Sequence, residues 1–349
     1  MPARHLLLMT FCVLLSACDP KTITLPPSDK LSADQVSAIS GRIETRYPDL
    51  SRDLREQMLA TVVRSLDDMV FIESGEFEMG DFGTLCEYDP ANMGTWPYGQ
   101  EPERLCPITP ERHDDFLHQV RLSSYYLSRY QTRHEDFDLF RTSQGLPLFN
   151  AEHRYREDLA DYFAANNPAP VKTWQEAKDY CLWLAELSAQ PIDLPSEAQW
   201  EFAARNRGQY VQYPTNDGNI KNGINILHDD KTFVVPIGQF PPNPLGLYDM
   251  SGNATDWVND WYAEDYYANS PLINPTGPES GTEKIRRGSD YAETNWMDAN
   301  SVRRWPDSPV SDGYYPGTSF RCSIQSDFRG LARSYPLATV GARLSANGG

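Results

Sequence analysis

The chain has 349 residues and a formal net charge of −18. This acidity argues against nucleic-acid binding, because phosphate backbones are bound by surfaces rich in lysine and arginine. Hydrophobic residues make up 40% of the chain and aromatic residues 12%, so it can bury a sizeable core and wholesale disorder is excluded.

The N-terminus has the pattern of an export signal. Residues 6–15 form an apolar run after Arg4, too short for a bilayer span of about 20 helical residues. The run ends in LSAC at residues 15–18, which resembles the lipobox of bacterial lipoproteins. This resemblance implies cleavage after residue 17, lipidation of Cys18 and a lipid-anchored, periplasm-facing protein of the bacterial cell envelope. Asp19 slightly favours the inner membrane, and an ordinary signal peptide or a membrane-buried cysteine is the alternative.

The segment after the cleavage site predicts a short anchor and then a helical pair. Residues 18–31 are polar and proline-rich, which is typical of a tether. Residues 32–68 predict a helical extension, with Ser32 and Gln35 as a capping box and Pro48 dividing two helices. Apolar residues at helical spacing indicate packing on the main domain, although a partner-binding helix face is the alternative. These apolar residues are Val36, Ile39, Ile43, Leu50, Leu54, Met58, Val62 and Leu66.

From residue 69 the pattern changes to short strands, turns and short helices. Residues 69–72 predict a strand, and residues 81–115 predict a long loop. Three capping boxes predict helix starts, at Thr132 with Glu135, Thr173 with Glu176 and Ser196 with Gln199. We therefore expect one loop-rich α+β domain over residues 69–324, followed by a C-terminal tail at 325–349.

Five motifs in this domain are collinear with those of a known family. They are MVFIESGEFEMG at 69–80, the stretch 120–140, PIDLPSEAQWEFAAR at 191–205, PPNPLGLYDMSGNATDWVNDW at 241–261, and Arg287-Gly288 with Ser319–Arg321. Together they resemble the formylglycine-generating enzyme family, the sulfatase-modifying-factor domain. The resemblance implies the C-type-lectin-like variant fold of that family.

The catalytic residues of that family are missing at the matching positions. The family uses two cysteine thiolates and copper, and Cu(I) prefers such soft ligands. Here the alignment places Glu293 and Asp298 at those positions, and no cysteine lies between Cys181 and Cys322. The sequence therefore predicts no catalytic residue of the known kind and no copper. Two interpretations of Glu293 and Asp298 remain. They are paired carboxylates for acid–base work or metal binding, or they are solvated loop charges.

A related branch of the family binds non-haem iron through an H-x-x-x-H-x-E pattern, which this chain lacks. Its histidines after residue 18 are His113, His118, His134, His153 and His228. A site of two histidines and one carboxylate assembled in three dimensions remains an alternative, against the simpler interpretation of solvated histidines.

The family resemblance also assigns the cysteines a structural role. It implies a disulfide between Cys181 and Cys322, in the oxidising compartment that the signal peptide implies. Cys86 and Cys106 flank the long loop, and we expect them to pair structurally. A redox-active pair is the alternative, although no C-x-x-C spacing supports it.

The resemblance also implies a calcium site at a turn within the fourth motif. Asp249 and Asp256 would supply carboxylate oxygens, and Gly252 and Ala254 backbone carbonyls, which suit Ca²⁺. Without the resemblance, a plain Asx turn would be the simpler interpretation. A second calcium site maps near Asn225, Ile226 and Asp230.

The retained scaffold without catalytic cysteines predicts a non-catalytic envelope lipoprotein that binds a protein partner. The resemblance suggests an accessory component of a secretion system, and the partner classes are a secretion-system component, a kinase or a toxin. Aromatic and arginine residues in one loop form the candidate partner surface, with a core-packed loop as the alternative: Trp296, Arg303, Arg304, Trp305, Tyr314 and Tyr315. A metal-dependent oxidoreductase and a periplasmic immunity protein against a toxin are the alternative functions.

Overall fold

The computed structural model describes residues 23–85, 105–226, 233–292, 297–310 and 317–325. Among these residues, no helix combines the length and the apolar character that a membrane span requires. The helices are α1 (Ala33–Arg46), α2 (Arg52–Asp67), α3 (His134–Ser143), α4 (Trp174–Ser188), α5 (Glu197–Ala204) and α6 (Tyr266–Asn269). The strands are β1 (Met69–Ile72), β2 (Gly75–Met79), β3 (Thr84–Leu85), β4 (Leu105–Cys106), β5 (His118–Leu122), β6 (Tyr125–Ser128), β7 (Ile192–Asp193), β8 (Thr255–Trp261), β9 (Lys284–Arg287), β10 (Arg304–Asp307), β11 (Thr318–Phe320) and β12 (Ser323–Ile324).

The N-terminal helices form because each has a local cap and one apolar face. Ser32 and Gln35 make the predicted reciprocal capping box at the start of α1. The second helix begins at Arg52 and not at the predicted Pro48, because the Ser51 hydroxyl accepts a hydrogen bond from the Leu54 amide and ends the turn there. The apolar faces of α1 and α2 are buried in the same core cluster as α3 and α4, so the helical pair packs on the main domain.

Residues 23–31, which we call the strap, lie along α2 and do not form the predicted free tether. Ile23 is buried in the core, and the Thr24 amide donates to the Glu56 carboxylate near the start of α2 (2.9 Å). The Ser28 hydroxyl donates to Asp67 at the end of α2 (2.6 Å), where the Lys30 ammonium group also donates to the Asp67 carbonyl. The polar, proline-rich composition predicted a tether because it carries no sign of these contacts.

Two four-stranded sheets and two hairpins make up the β structure of the described residues. The first sheet has the strand order β1-β6-β12-β7 and the second β10-β9-β8-β11, while β2 pairs with β5 and β3 with β4. All these pairs are antiparallel except β11 with β8. Helices α1 to α4 share a core cluster with the first sheet, and α5 packs in a second cluster with residues of β2, β5, β8 and β9.

Two of the three capping boxes predicted in the main domain are confirmed. Thr173 opens α4 and Ser196 opens α5, each with a reciprocal bond from the third residue. The box predicted at Thr132 is wrong, because Arg133 occupies the N-cap of α3 without a side-chain cap bond. The Thr132 backbone is used elsewhere, since its amide donates to Phe320 (2.9 Å) and its carbonyl accepts from Ala169 (2.7 Å).

The predicted Cys181–Cys322 disulfide is confirmed. It joins α4 to the short connection between β11 and β12, with a Cα–Cα distance of 5.6 Å. Cys106 is also disulfide-bonded, and the predicted partner Cys86 lies outside the described residues.

Replacing Cys181 and Cys322 together by alanine should lower the free energy of unfolding by about 2–5 kcal/mol, because the bridge closes a long loop in the unfolded chain. Urea denaturation of the wild type and the double variant measures this difference. With dithiothreitol present, most of the difference should disappear. A double variant as stable as the oxidised wild type would contradict the expectation.

Candidate functional site

The sequence motif at residues 196–205 builds a buried row of charges. Glu197, Glu201 and Arg205 are spaced four residues apart at α5 and its C-cap, so they share one face of the helix. Arg287 on β9 and Arg304 on β10 lie opposite them, and all five side chains are buried. We call these five residues the buried ion network.

Each charge in the buried ion network is paired at short range. Arg304 makes two hydrogen bonds to Glu197 (2.7 and 3.0 Å). Arg287 bridges the helix, donating to Glu197 (3.0 Å) and to Glu201 (2.8 Å). Glu201 also accepts from Arg205 (2.7 Å). The arrangement alternates acid and base, as buried charges require.

The network also holds the loops beside it. Arg287 donates to the backbone carbonyls of Ser301 (2.7 Å) and Val302 (3.1 Å), and Arg304 donates to that of His113 (3.1 Å). Arg304 is 1% exposed, so its predicted place in an exposed partner surface is wrong. For this residue, the alternative of a core-packed loop holds.

The pKa values of Glu197 and of its neighbour Asp260 shift in opposite directions. Burial alone would raise the pKa of Glu197, but Arg304 and Arg287 outweigh it and hold the pKa below its usual value. Burial, reinforced by the Glu197 carboxylate, raises the pKa of Asp260 to about 8. Asp260 accepts a hydrogen bond from the Glu197 amide (2.9 Å). At neutral pH, Asp260 therefore carries a proton while Glu197 stays ionised.

The position expected for the second catalytic cysteine holds an ion pair. The Asp298 carboxylate accepts a hydrogen bond from Arg303, which also reaches Glu111 (3.3 Å). The Arg303 guanidinium lies 3.8 Å from the ring centroid of Trp305, and the indole N–H of Trp305 donates to the Gly288 carbonyl (2.9 Å). Glu293, Trp296, Tyr314 and Tyr315 lie outside the described residues.

The residues present do not fit copper. Every cysteine among the described residues, namely Cys106, Cys181 and Cys322, is disulfide-bonded. In the whole sequence, no cysteine falls between Cys181 and Cys322. Two thiolates are therefore missing at the position where the family chemistry needs them.

The structure also contains an open groove of about 730 Å³, which was not predicted from the sequence. Its apolar lining includes Phe82, Leu105, Leu117, Tyr210 and Val211. The loop that carries Arg303 is hydrogen-bonded to two residues of the lining, because Ser301 donates from its amide to Gln212 (2.8 Å) and from its hydroxyl to Val211 (2.7 Å). No periodic pattern in the sequence indicates this groove, because the lining residues come from distant loops and strand ends.

Among the described residues, three aspartates form the only group of three or more histidine, cysteine or acidic side chains with metal-ligand spacing. These are Asp81, Asp114 and Asp115. Protein donors already bind two of them: Asp81 accepts from the Ile108 (2.6 Å) and Thr109 (3.0 Å) amides, and Asp114 accepts from the Thr109 hydroxyl. The hydrogen bonds of these aspartates thus stabilise the loop at residues 105–115.

Within the described part of the chain, the histidines do not assemble the alternative iron site of two histidines and one carboxylate. His134 is buried against Phe149, Tyr162 and Phe163 and lies 2.9 Å from Arg154. Burial lowers its pKa to about 4. His228 lies outside the described residues.

The turn predicted to bind calcium is well ordered by protein contacts. The Asp256 carboxylate accepts hydrogen bonds from Gln131 (3.0 Å), Trp200 (2.9 Å) and Arg321 (2.7 Å). The Ala254 carbonyl also accepts from Gln131 (2.7 Å). Asp256 and Ala254, two of the predicted calcium ligands, are thus hydrogen-bonded to protein donors in this structure.

The other predicted calcium ligands lie nearby. Asp249 accepts from the Gly238 amide (2.7 Å), and burial raises its pKa to about 6. Gly252 has a φ of +92°, and a Cβ there would overlap Ile226. At the second predicted site, Asn225 bonds Asn216, Asp217 and Asn219, and Asp230 lies outside the described residues. Calcium binding stays a prediction.

Glu201→Gln should lower the free energy of unfolding by about 3–5 kcal/mol, because it leaves Arg287 and Arg205 short of a buried counter-charge. Asp158→Asn is the matched control, since Asp158 pairs with Arg156 at the surface and its loss should leave stability nearly unchanged. Chemical denaturation measures both. Equal effects of the two variants would contradict a structural role for the network.

Asp260→Asn should change how stability depends on pH. Asp260 keeps its proton to about pH 8 in the folded state, whereas in the unfolded chain the aspartate loses this proton at about pH 4. The folded state binds more protons between these values, so the wild type loses stability as pH rises through this range. The asparagine variant has no carboxyl group here, so its stability does not fall for this reason as the pH rises. Its unfolding free energy relative to the wild type should rise from pH 5 to pH 8, and a constant difference would contradict the assignment.

Comparison with known proteins agrees with the motifs and the fold. The model of the family described as sulfatase-modifying factor enzyme 1-like domain matches residues 55–323. The serine/threonine-protein kinase Pkn1 of Chlamydia trachomatis is 31% identical over 249 residues, which cover 70% of this chain and 36% of the kinase. The formylglycine-generating enzyme of Streptomyces coelicolor is 32% identical over 176 residues, 46% of this chain and 54% of the enzyme.

The chain spans about 36–41% of the length of the chlamydial kinases it matches and about half of the Streptomyces enzyme. Among solved structures, PvdO from Pseudomonas aeruginosa superposes with a TM-score of 0.55 at 24% identity, covering 74% of this chain and 94% of PvdO. The predicted loop-rich α+β fold is thereby confirmed. The chain belongs to the family of sulfatase-modifying factor enzyme 1-like domains.

Proposed function

We propose that this chain is a non-catalytic member of its family, a lipid-anchored protein of the bacterial envelope that faces the periplasm and binds another protein. The observation that carries the proposal is the Arg303–Asp298 ion pair, which stands where the family chemistry needs a thiolate. The lipobox ending at Cys18 supports the location, and Asp19 favours the inner membrane.

The chemistry of the ion pair supports loss of catalysis. A carboxylate paired with a guanidinium is a poor ligand for Cu(I), which prefers thiolates. Arg303, the partner of Asp298, also lies over the Trp305 ring and contacts Glu111. A general base needs access to a substrate proton, and this carboxylate is only 16% exposed.

The groove supports a binding role. Its lining residues Tyr210, Leu105 and Leu117 are 64%, 57% and 38% exposed. Exposed apolar side chains grouped in this way mark interaction sites in soluble proteins. Ser301, two residues before Arg303, is hydrogen-bonded to Val211 in the groove lining. Arginine and tryptophan, found here as Arg303 and Trp305, are enriched at the centres of protein interfaces.

The proposed partner is a protein of the same compartment, such as a secretion-system component. The chain's net charge of −18 favours a partner with a basic contact surface. The alignment with about a third of Pkn1, a protein named as a kinase, supports a module that operates alongside other domains.

The purified periplasmic protein, supplied with copper and oxygen, should not convert the cysteine of a sulfatase-type peptide to an aldehyde. Mass spectrometry of the peptide reads the loss of the thiol directly. The Streptomyces coelicolor enzyme in parallel shows that the assay works. Turnover that disappears in Asp298→Asn would contradict the proposal.

A photo-crosslinking residue in place of Tyr210 should give a discrete product with one envelope protein in cells. The matched control replaces Tyr155, which is 82% exposed and does not line the groove. Leu105→Asp and Leu117→Glu should each abolish the product, because they place a charge in the apolar lining. Equal products from positions 210 and 155, or none from position 210, would contradict a binding role for the groove.

A further inference from the structure

The strap determines where the chain enters the domain. The Thr24 amide is bonded to Glu56 near the start of α2, whereas Ser28 and Lys30 are bonded to Asp67 at its end. The strap therefore runs along α2 in the same direction as the helix. The entry point lies at the first turns of α2, and residues 47–51, which connect α1 to α2 and which we call the hairpin turn, directly precede these turns.

Few residues separate this entry point from the predicted lipidation site. Five Cα–Cα steps connect Cys18 to Ile23, which span at most about 17 Å even when fully extended. A compact domain of this size is about 50 Å across. A lipid on Cys18 therefore cannot reach the far side of the domain.

The hairpin turn suits a membrane surface better than the average surface of this acidic chain. Between residues 46 and 56, the basic residues Arg46, Arg52 and Arg55 balance an equal number of acidic residues, whereas the whole chain has a charge of −18. The Arg55 guanidinium donates to the Pro48 carbonyl (3.3 Å) and has no acidic partner among the described residues. Guanidinium groups bind phosphate well.

An exposed apolar side chain lies at the same end. Leu25, in the strap, is 44% exposed beside the entry point. Apolar side chains at a membrane interface gain free energy by leaving water.

We propose that the hairpin turn lies against the phospholipid surface, with Arg55 at the headgroup phosphates and Leu25 at the interface. This inference rests on the proposed lipidation of Cys18. No residue that lines the groove belongs to the strap, α1 or α2, so this orientation leaves the groove free for a protein partner.

The test uses the full, processed chain in vesicles of phosphatidylethanolamine and phosphatidylglycerol that contain a nickel-chelating lipid. A spin label is attached to Asp49→Cys in the hairpin turn and, as the matched control, to Ile224→Cys. Ile224 is 66% exposed and lies beside the groove, since its neighbour Asn225 bonds Asn219. Nickel at the headgroups should relax the label at position 49 several-fold more than the label at position 224.

A variant with a longer linker tests whether the short tether causes the difference between the two labels. Inserting about twenty glycine and serine residues after Lys21 makes the connection flexible and long, so the difference between the two labels should shrink while the protein stays membrane-bound. Equal relaxation at positions 49 and 224 in the lipidated wild type would overturn the inference.

Failure of the lipidation itself is read separately. Cys18→Ser should move the protein from the membrane to the soluble fraction, and mass spectrometry of the wild type should show the acylated N-terminal peptide. An unchanged distribution without acylation would overturn the proposed anchoring and the orientation with it. Acylation with equal label relaxation would overturn the orientation alone.

Discussion

The guanidinium of Arg287 lies between two buried carboxylates, and much of the structure around the site depends on this contact. It joins both turns of α5, at Glu197 and Glu201, to β9 and to the backbone of the loop at Ser301. Removing one member of such a network leaves a buried charge without a partner, which costs far more than losing a surface pair. The network thereby fixes the register of α5 on the second sheet.

The contacts that stabilise the fold do not include the position aligned with a catalytic cysteine of the family. The buried ion network and the Cys181–Cys322 bridge stabilise the scaffold, and Asp298 belongs to neither of them. Asp298 pairs instead with Arg303, in a loop whose backbone accepts hydrogen bonds from Arg287. Under the proposed function, this scaffold presents the groove lined by Leu105 and Tyr210 to a protein partner.

Local signals in the sequence predicted local structure well. The boxes at Ser32, Thr173 and Ser196 could be predicted because cap and partner are three residues apart. The box at Thr132 failed because its backbone bonds Phe320 and Ala169, which a local pattern cannot reveal. The family motifs supplied the disulfide, since residues 141 positions apart carry no local sign of pairing.

Long-range burial accounts for the other errors. Arg304 precedes Trp305 in a stretch that the sequence predicted as an interface loop, yet it lies on β10, its partner Glu197 is 107 residues away and the pair is buried. Ile23 belongs to a polar, proline-rich stretch, but one apolar residue and a few hydrogen bonds attach that stretch to α2. The groove was missed for the same reason, because Phe82, Leu105 and Tyr210 meet only in the folded chain.

The metal content of the protein decides most directly between a binding protein and a redox enzyme. Residues 19–349, produced in the periplasm and purified without chelator, are analysed for copper and iron by mass spectrometry. A non-catalytic binding protein should contain neither metal at a level near one ion per chain. Copper or iron approaching one ion per chain, and lost on mutation of Asp298, would contradict the non-catalytic role.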